Sequence, residues 1–523
     1  MHATRGRNRA RKARPPERRS KTYLSNFEVP RTDDVAWRGL LDLGDMVGIE
    51  YNVHFWETLP WSARGRRLGA ETGRVVVLPH RTLRWNNREW WSVRTQVFCR
   101  SSLAEENSME LPLRLLADDE RWDCQGCGIC CRSVIIKLSD EEYRRIRNQH
   151  WEEDPRFRGK KLFVRMSLFP PVYRLAHRAD GFCVFLNDEK RCSIHAKFGA
   201  EAKPLLCRMF PYQVVPLERY AYLTVRRNCP SAALQQGPTL AEQESEWRPM
   251  VKTDRLRPRP KQVPPLTRHY RVSWRRFLAA ADVLEELTCD RRFPIVRRLA
   301  AGLTFCRALD GCRLTTLSNA EYAELLRLLK GAAHEEASEF FRDRKPPGWA
   351  TRLIFRRVLA DYLRLHPRYV LENSWRGRFR WAKLGIRMAL GGGTMHELAP
   401  DFPPADWKHL ESPLGTLSAD VLRPLDDYFE SLTKTKRFAV AGRKGWALTE
   451  RYRAVAVSFA AAMWFLRLIA YERPVETDDV VQAVITIERG EGHAPLGSAT
   501  YRKRLRAVEY RNELGRLIAW YAR

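Results

Sequence analysis

Three hydrophobic patterns succeed one another along the chain. Between residues 23 and 118 apolar positions alternate with polar or small ones, as at Ile49, Tyr51, Val53 and Phe55 and again at Trp91, Val93, Thr95 and Val97. Alternation is the period of a half-buried strand, and Asn86-Asn87 sits between two such runs where a hairpin turn belongs. From residue 266 onward the spacing changes to three and four. Trp274, Phe277, Ala281, Leu284 and Leu287 form one helical stripe, and Ile354, Val358, Tyr362 and Leu365 form another. Ser318 with Glu321 opens a third helix as a capping box. Gly391-Gly-Gly393 and Pro400, Pro403 and Pro404 interrupt the helical pattern near 391–416. Ala454–Leu466 is apolar on every side and predicts a helix buried all round. The fold class predicted is α+β, with a β-rich N-terminal region and a mainly α-helical C-terminal half.

The middle pattern belongs to cysteine. Eight of the twelve cysteines fall in one stretch: Cys124, Cys127, Cys130, Cys131, Cys183, Cys192, Cys207 and Cys229. Thiols this dense, in a chain that opens with no apolar signal core, are expected to hold a metal rather than form disulfides. Two C-x-x-C steps supply half of each of two tetrahedral zinc sites. Three cysteines spaced by two residues, with the distant Cys229-Pro230, equally suit an iron–sulfur cluster. Gly126 and Gly128 accept the positive φ that lets successive sulfurs converge. Adjacent Cys130 and Cys131 are expected to point differently, so both need not bind the same ion. Around these residues, Ser139 with Glu142 caps a helix, Asn187–Lys190 reads as a hairpin turn, Val134–Leu138 as a strand and 151–180 as irregular chain. Cys99 stands apart and reads as a buried structural thiol.

Cys124-x-x-Cys-x-x-Cys-Cys131, with Cys183-x-Phe-Leu, Cys192-x-Ile, Pro204-x-x-Cys207-Arg and Phe210-Pro211, resembles the CxxCxxCC (YkgJ-type) cysteine-cluster family, described as zinc- or iron-chelating. Cys192-Ser-Ile-His-Ala-Lys-Phe-Gly199 and Cys229-Pro-Ser-Ala-Ala233 are also similar to the flagellin lysine N-methylase branch, whose members carry an iron–sulfur cluster. The resemblance implies a protein-lysine N-methyltransferase, and S-adenosylmethionine is called for only under that reading. Where the family often has Tyr, this chain has His195, which therefore reads as a surface or second-layer histidine rather than a ligand. No G-x-G-x-x-G follows a strand and no G-x-S-x-G is present, so the sequence names no catalytic residue.

Length and charge refine this picture. At 523 residues the chain exceeds one growing core. The pattern divides it into a disordered basic tail (1–22), the β-rich region (23–118), the cysteine-cluster domain (119–240), a Pro/Arg-rich linker (241–265) and the helical region (266–523). The formal charge is +30, and residues 1–22 carry nine Lys/Arg against one Glu. Such an excess attracts polyanions, so the non-catalytic alternative is a metal-stabilised interaction module that contacts a protein partner or, less readily, nucleic acid. The longest apolar run is too short to span a bilayer and is stopped by Arg467, so a cytoplasmic location with no membrane span is expected.

Overall fold

The computed structural model describes residues 111–116, 120–132, 134–167, 169–251, 260, 262–342, 345–370, 374–396, 398, 401–491 and 496–523. The basic tail, nearly all of the β-rich region, Cys99, Pro400 and residues 252–259 and 261 of the Pro/Arg-rich stretch lie outside the described residues.

Two three-stranded sheets build the cysteine-rich part. Strands β1 (Leu113–Arg114), β2 (Lys137–Leu138), β3 (Phe163–Ser167), β4 (Val172–Leu175), β5 (Tyr212–Pro216) and β6 (Ala221–Val225) pair as β1-β6-β5 and β2-β4-β3. β5 and β6 form a regular antiparallel hairpin, with Val214 opposite Leu223, while β1 joins β6 in parallel. β2 and β4 are antiparallel, as are β3 and β4, with an irregularity between Arg165 and Ser167. The segment expected to be irregular, 151–180, thus contains β3 and β4. Their partly exposed, arginine-bearing residues break the apolar alternation that marks a strand. Conversely, only the last two residues of Val134–Leu138 pair as a strand.

Short helices fill the turns: α1 (Asp140–Arg147), α2 (Ser193–Phe198), α3 (Leu205–Met209), α4 (Pro230–Ala233) and α5 (Glu244–Val251). α1 starts where Ser139 and Glu142 predict it, with both halves of the capping box present, three acids in its first turn and arginines in its last. α5 lies inside the span read as a linker. Its Trp247 and Val251, four residues apart, are buried, which anchors a segment whose prolines suggested an extended strap.

The C-terminal half is helical, as the spacing predicts. Its long helices are α6 (Trp274–Cys289), α7 (Ile295–Asp310), α8 (Asn319–Ala337), α9 (Trp349–Leu363), α10 (Trp375–Leu390), α11 (Ala419–Lys434), α12 (Leu448–Ile469), α13 (Thr477–Gly490), α14 (Ala499–Glu509) and α15 (Glu513–Tyr521). One two-stranded ribbon, β7 (Thr394–Met395) with β8 (Ala405–Asp406), follows the glycine run. Gly391 ends α10 at φ 60, the left-handed cap that glycine accepts without a steric penalty.

α12 is the axis of this bundle. It is the one described helix long and apolar enough to cross a membrane, yet its residues are buried inside the protein, where it packs on α7, α13 and α15. A large apolar core surrounds it. The cysteine-rich part has two much smaller cores. One gathers Ile146, Trp151, Phe157, Phe185 and Ile194, and the other gathers Tyr212, Leu223, Val225, Leu240 and Trp247.

Candidate metal centre

Each small core carries its own thiols. Cys183, Cys192 and Cys207 pack against the first, and Cys229 belongs to the second. The loop that bears the first four cysteines runs between them, and its turns depend on Gly126 (φ 62) and Gly128 (φ 74). Gly128 is also close-packed: a Cβ added there would lie 3.3 Å from Leu186 Cδ2.

Backbone hydrogen bonds fix the first thiol group. The Cys183 N–H donates to the Cys131 carbonyl at 2.8 Å, and Arg132 bridges Phe182 beside it. This brings the loop onto the hairpin that carries Cys183 and Cys192. That hairpin closes where Asn187–Lys190 predicts. The Asn187 N–H donates to Arg191 O, the Arg191 N–H donates to Asn187 Oδ1, and Leu186 bridges Cys192. Cys192 then caps α2 and Cys207 lies within α3. α3 is held by Glu142: one carboxylate oxygen completes the capping box of α1, and the other accepts the Leu205 N–H at 2.7 Å.

The electrostatics follow this placement. Burial pushes the Cys183 thiol up to about 12, with the nearby charges of Cys192 and Cys130 adding to the rise. Burial also raises Cys207, and Cys183, Cys192 and Cys130 raise it further. Cys130 is open to solvent on one side but is raised by its sulfur contact with Cys131, at 3.9 Å, together with desolvation of the thiol. Four sulfurs therefore sense one another, and Cys131 adjoins them. Without a cation Cys130, Cys183 and Cys207 are held in the thiol form, because a thiolate there would face its neighbours in a poorly solvated place. A bound metal ion inverts that preference and takes the thiols as thiolates.

The Cys130–Cys131 contact brings the two neighbouring sulfurs near enough to share an ion. Two thiolates on one tetrahedral zinc, with bonds of about 2.3 Å, stand about 3.8 Å apart. The observed 3.9 Å is close to that edge and far beyond a disulfide bond. Every described cysteine is a free thiol. Among the described residues, no three Cys, His, Asp or Glu side chains already stand close enough to enclose an ion. The sulfurs are gathered, and a metal would draw them closer.

The second thiol group is smaller. Burial raises Cys229, and Cys127 raises it further, so these two lie within electrostatic reach. Cys229 also has donors aimed at its sulfur. The Trp122 indole N–H donates at 3.2 Å, and the Ala232 and Ser231 amides act in the same direction. Donors around a sulfur are the usual outer layer of a thiolate ligand. Cys124 is exposed, and its amide donates to Asp123 Oδ1 at 2.7 Å. The donor chemistry thus fits a metal at both places. Cysteine spacing does not point to Trp122 or Glu142 as site residues. The only hint in the chain is that an indole donor stands two residues before Cys124.

Other residues take different roles. His195 is exposed on α2, as expected of a surface histidine. Arg132 turns away from the sulfurs to Asp401, at 3.3 Å, and Arg208 pairs with Glu201. Cys306 is buried in the helical core, Cys312 donates to Ala308 O at 3.2 Å, and Cys289 lines a cleft described below.

No curated protein and no solved structure matches the chain. Residues 123–230 match a family model, "CxxCxxCC: Putative zinc- or iron-chelating domain". The matched span runs from the residue before Cys124 to the residue after Cys229 and so contains all eight thiols. That segment of the chain is similar to the CxxCxxCC domain, and it is set into a longer, mostly helical protein.

Proposed function

We propose that the chain is a thiolate metalloprotein in which Cys130, Cys131, Cys183, Cys192 and Cys207 supply the thiols of one centre, four of them as ligands of a tetrahedral ion, and Cys124, Cys127 and Cys229 contribute to a second. The observation that carries this reading is convergence. Sulfurs from a loop, both arms of a hairpin and a separate helix come within electrostatic reach of one another, and Cys130, Cys183 and Cys207 become weaker acids for it. Zinc is the ion we favour for the first centre, since the 3.9 Å pair fits the edge of a sulfur tetrahedron. An iron–sulfur cluster is the other occupant that the same donors accept. In either case the centre acts as a staple. A structural zinc contributes about 10–16 kcal/mol in model peptides, against roughly 5–15 kcal/mol for a whole domain. The two small cores would lean heavily on such a term.

Anaerobic purification with zinc, iron and sulfide assays on one sample tests this directly. Stoichiometric zinc in a colourless protein supports the zinc staple, and matched iron and sulfide with charge-transfer absorption replaces it with a cluster. A folded protein with neither sinks the proposal.

The catalytic reading is protein-lysine N-methylation with S-adenosylmethionine. What supports it is a cleft of about 810 Å³ lined by Glu120, Arg227, Arg291, Glu430 and Ser431. Its size is within the range of small-molecule sites. Glu120 is 3% exposed; its Oε1 accepts from Thr224, Ser431 and Arg227, and its Oε2 has no donor. An unpartnered buried carboxylate oxygen suits an ammonium group. Equilibrium dialysis of the metal-loaded chain against labelled S-adenosylmethionine decides: binding that Glu120→Gln leaves intact, with methyl transfer lost, supports it, and no binding removes it.

A further inference from the structure

Helix α10 is fully explained on one side only. Gly377, Trp381, Gly385 and Met388 are buried, and the helix packs on α9 through them. The Arg357 guanidinium lies across Gly385, 3.1 Å from where a Cβ would stand, and 5.4 Å from the Trp381 ring centre. The other side shows Trp375 at 74% exposure, Phe379 at 71%, Ile386 at 50% and Leu390 at 72%. At 3.6 residues per turn these four fall within an arc of about 60°. They form one apolar ridge about 24 Å long. Scattered apolar side chains are ordinary on a surface, whereas a contiguous ridge of large ones marks a contact.

The charges beside the ridge suggest what it contacts. Arg376, Arg380, Lys383 and Arg387 are exposed and fall in the adjacent arc of about 60°, and Arg378 flanks the other edge. The helix contains no acidic residue. A second copy of the chain is a poor partner, because a two-fold contact would set these bases against the same bases. An anionic bilayer matches both bands. Apolar side chains enter the acyl boundary while long cationic ones reach sideways to phosphates, the arrangement of interfacial helices.

We infer that the exposed face of α10 docks on an anionic lipid surface, with Trp375, Phe379, Ile386 and Leu390 inserting and Arg376, Arg380, Lys383 and Arg387 meeting the headgroups. The contact is peripheral. The buried helix α12 takes no part in it, and the overall +30 charge adds long-range attraction.

Vesicle flotation of the full chain tests the inference, using phosphatidylcholine alone and phosphatidylcholine with about one-third phosphatidylserine. Two variants are needed: Phe379→Ser with Leu390→Ser, and Arg376→Gln with Lys383→Gln and Arg387→Gln. The parent is expected on the anionic vesicles only, and to leave them as salt rises. The charge variant should bind about 100-fold more weakly, and the apolar variant at least about tenfold more weakly although its charge is unchanged. If circular dichroism shows the apolar variant unfolded, the charge variant and the lipid contrast decide alone. Failure of the parent to bind anionic vesicles overturns the inference. So does binding that both variants retain, which would place it on bases elsewhere in the chain. Concentration-dependent self-association that Phe379→Ser abolishes, without vesicle binding, would make the ridge an interface between copies.

Discussion

Single residues in this protein often serve two structures at once. Glu142 caps α1 through one carboxylate oxygen and, through the other, holds the Leu205 amide at the start of the Cys207 helix. Glu142→Ala is expected to cost about 1–2 kcal/mol in denaturant midpoints, and also to make Cys207 more reactive to alkylation than the other core cysteines. Gly302 is a second case. It lies on α7 where that helix crosses α12, and a Cβ built there would overlap the Tyr452 ring. Tyr452 cannot easily retreat, since it is buried and its hydroxyl lies 2.8 Å from Thr288 Oγ1. Gly302→Ala should therefore destabilise by about 1–3 kcal/mol, through overpacking rather than backbone strain. At Cys183 the thiol rises from 9.0 to about 12 in the folded, metal-free chain. The unfolded thiol ionises first, so this stabilising contribution is complete below pH 9.0 and is lost as pH climbs towards about 12. The difference in stability between metal-loaded and metal-free protein should widen across that window. An unchanged difference would mean that Cys183 is not a ligand.

At the scale of elements, the Cys183–Cys192 hairpin and the 124–131 loop do most of the work. Both were legible in the sequence. The Asn187 turn, the Ser139–Glu142 box and the glycines at 126 and 128 act locally, so short-range rules suffice for them. What sequence did not reveal is equally physical. β3 and β4 escape notice because their residues are half exposed and do not alternate, and α5 was hidden by its neighbouring prolines. The pairing of thiols into groups depends on the two small cores, which assemble residues far apart in the chain. The long helices, including the all-apolar α12, were readable because their spacing is sustained over many turns. The two groups lead to a prediction. Cys192→Ser should remove the first centre and destabilise the core around Trp151 and Phe185. Cys229→Ser should spare that core and loosen the one around Trp247, as read by hydrogen exchange at each. Equal loss at both cores would argue for one shared centre.

At the scale of the molecule, a few buried charges join the cysteine module to the helical bundle. Glu488 is fully buried on α13. It accepts from Arg226, beyond the end of β6, at 3.0 Å and from Arg437 at 2.5 Å. Burial pushes its carboxyl up, but the charges of Arg437 and Arg226 outweigh that and hold it below the usual range. Arg437 also donates to Gln213 on β5, so one node touches both parts. Glu488→Ala leaves Arg437 buried without its carboxylate and should cost about 3–5 kcal/mol in global unfolding. Chelation should act differently: it should unfold the cysteine module first and leave the α12 bundle helical, giving two transitions where the loaded protein shows one. X-ray absorption at the zinc and iron edges of the purified chain reads the thiolate centre itself. Bound metal with a shell of sulfur neighbours at about 2.3 Å is expected, reduced by the share of the first centre when Cys183 and Cys207 are replaced by serine and lost when Cys229 is replaced as well. A folded protein without metal, or a metal surrounded by nitrogen and oxygen alone, would contradict it.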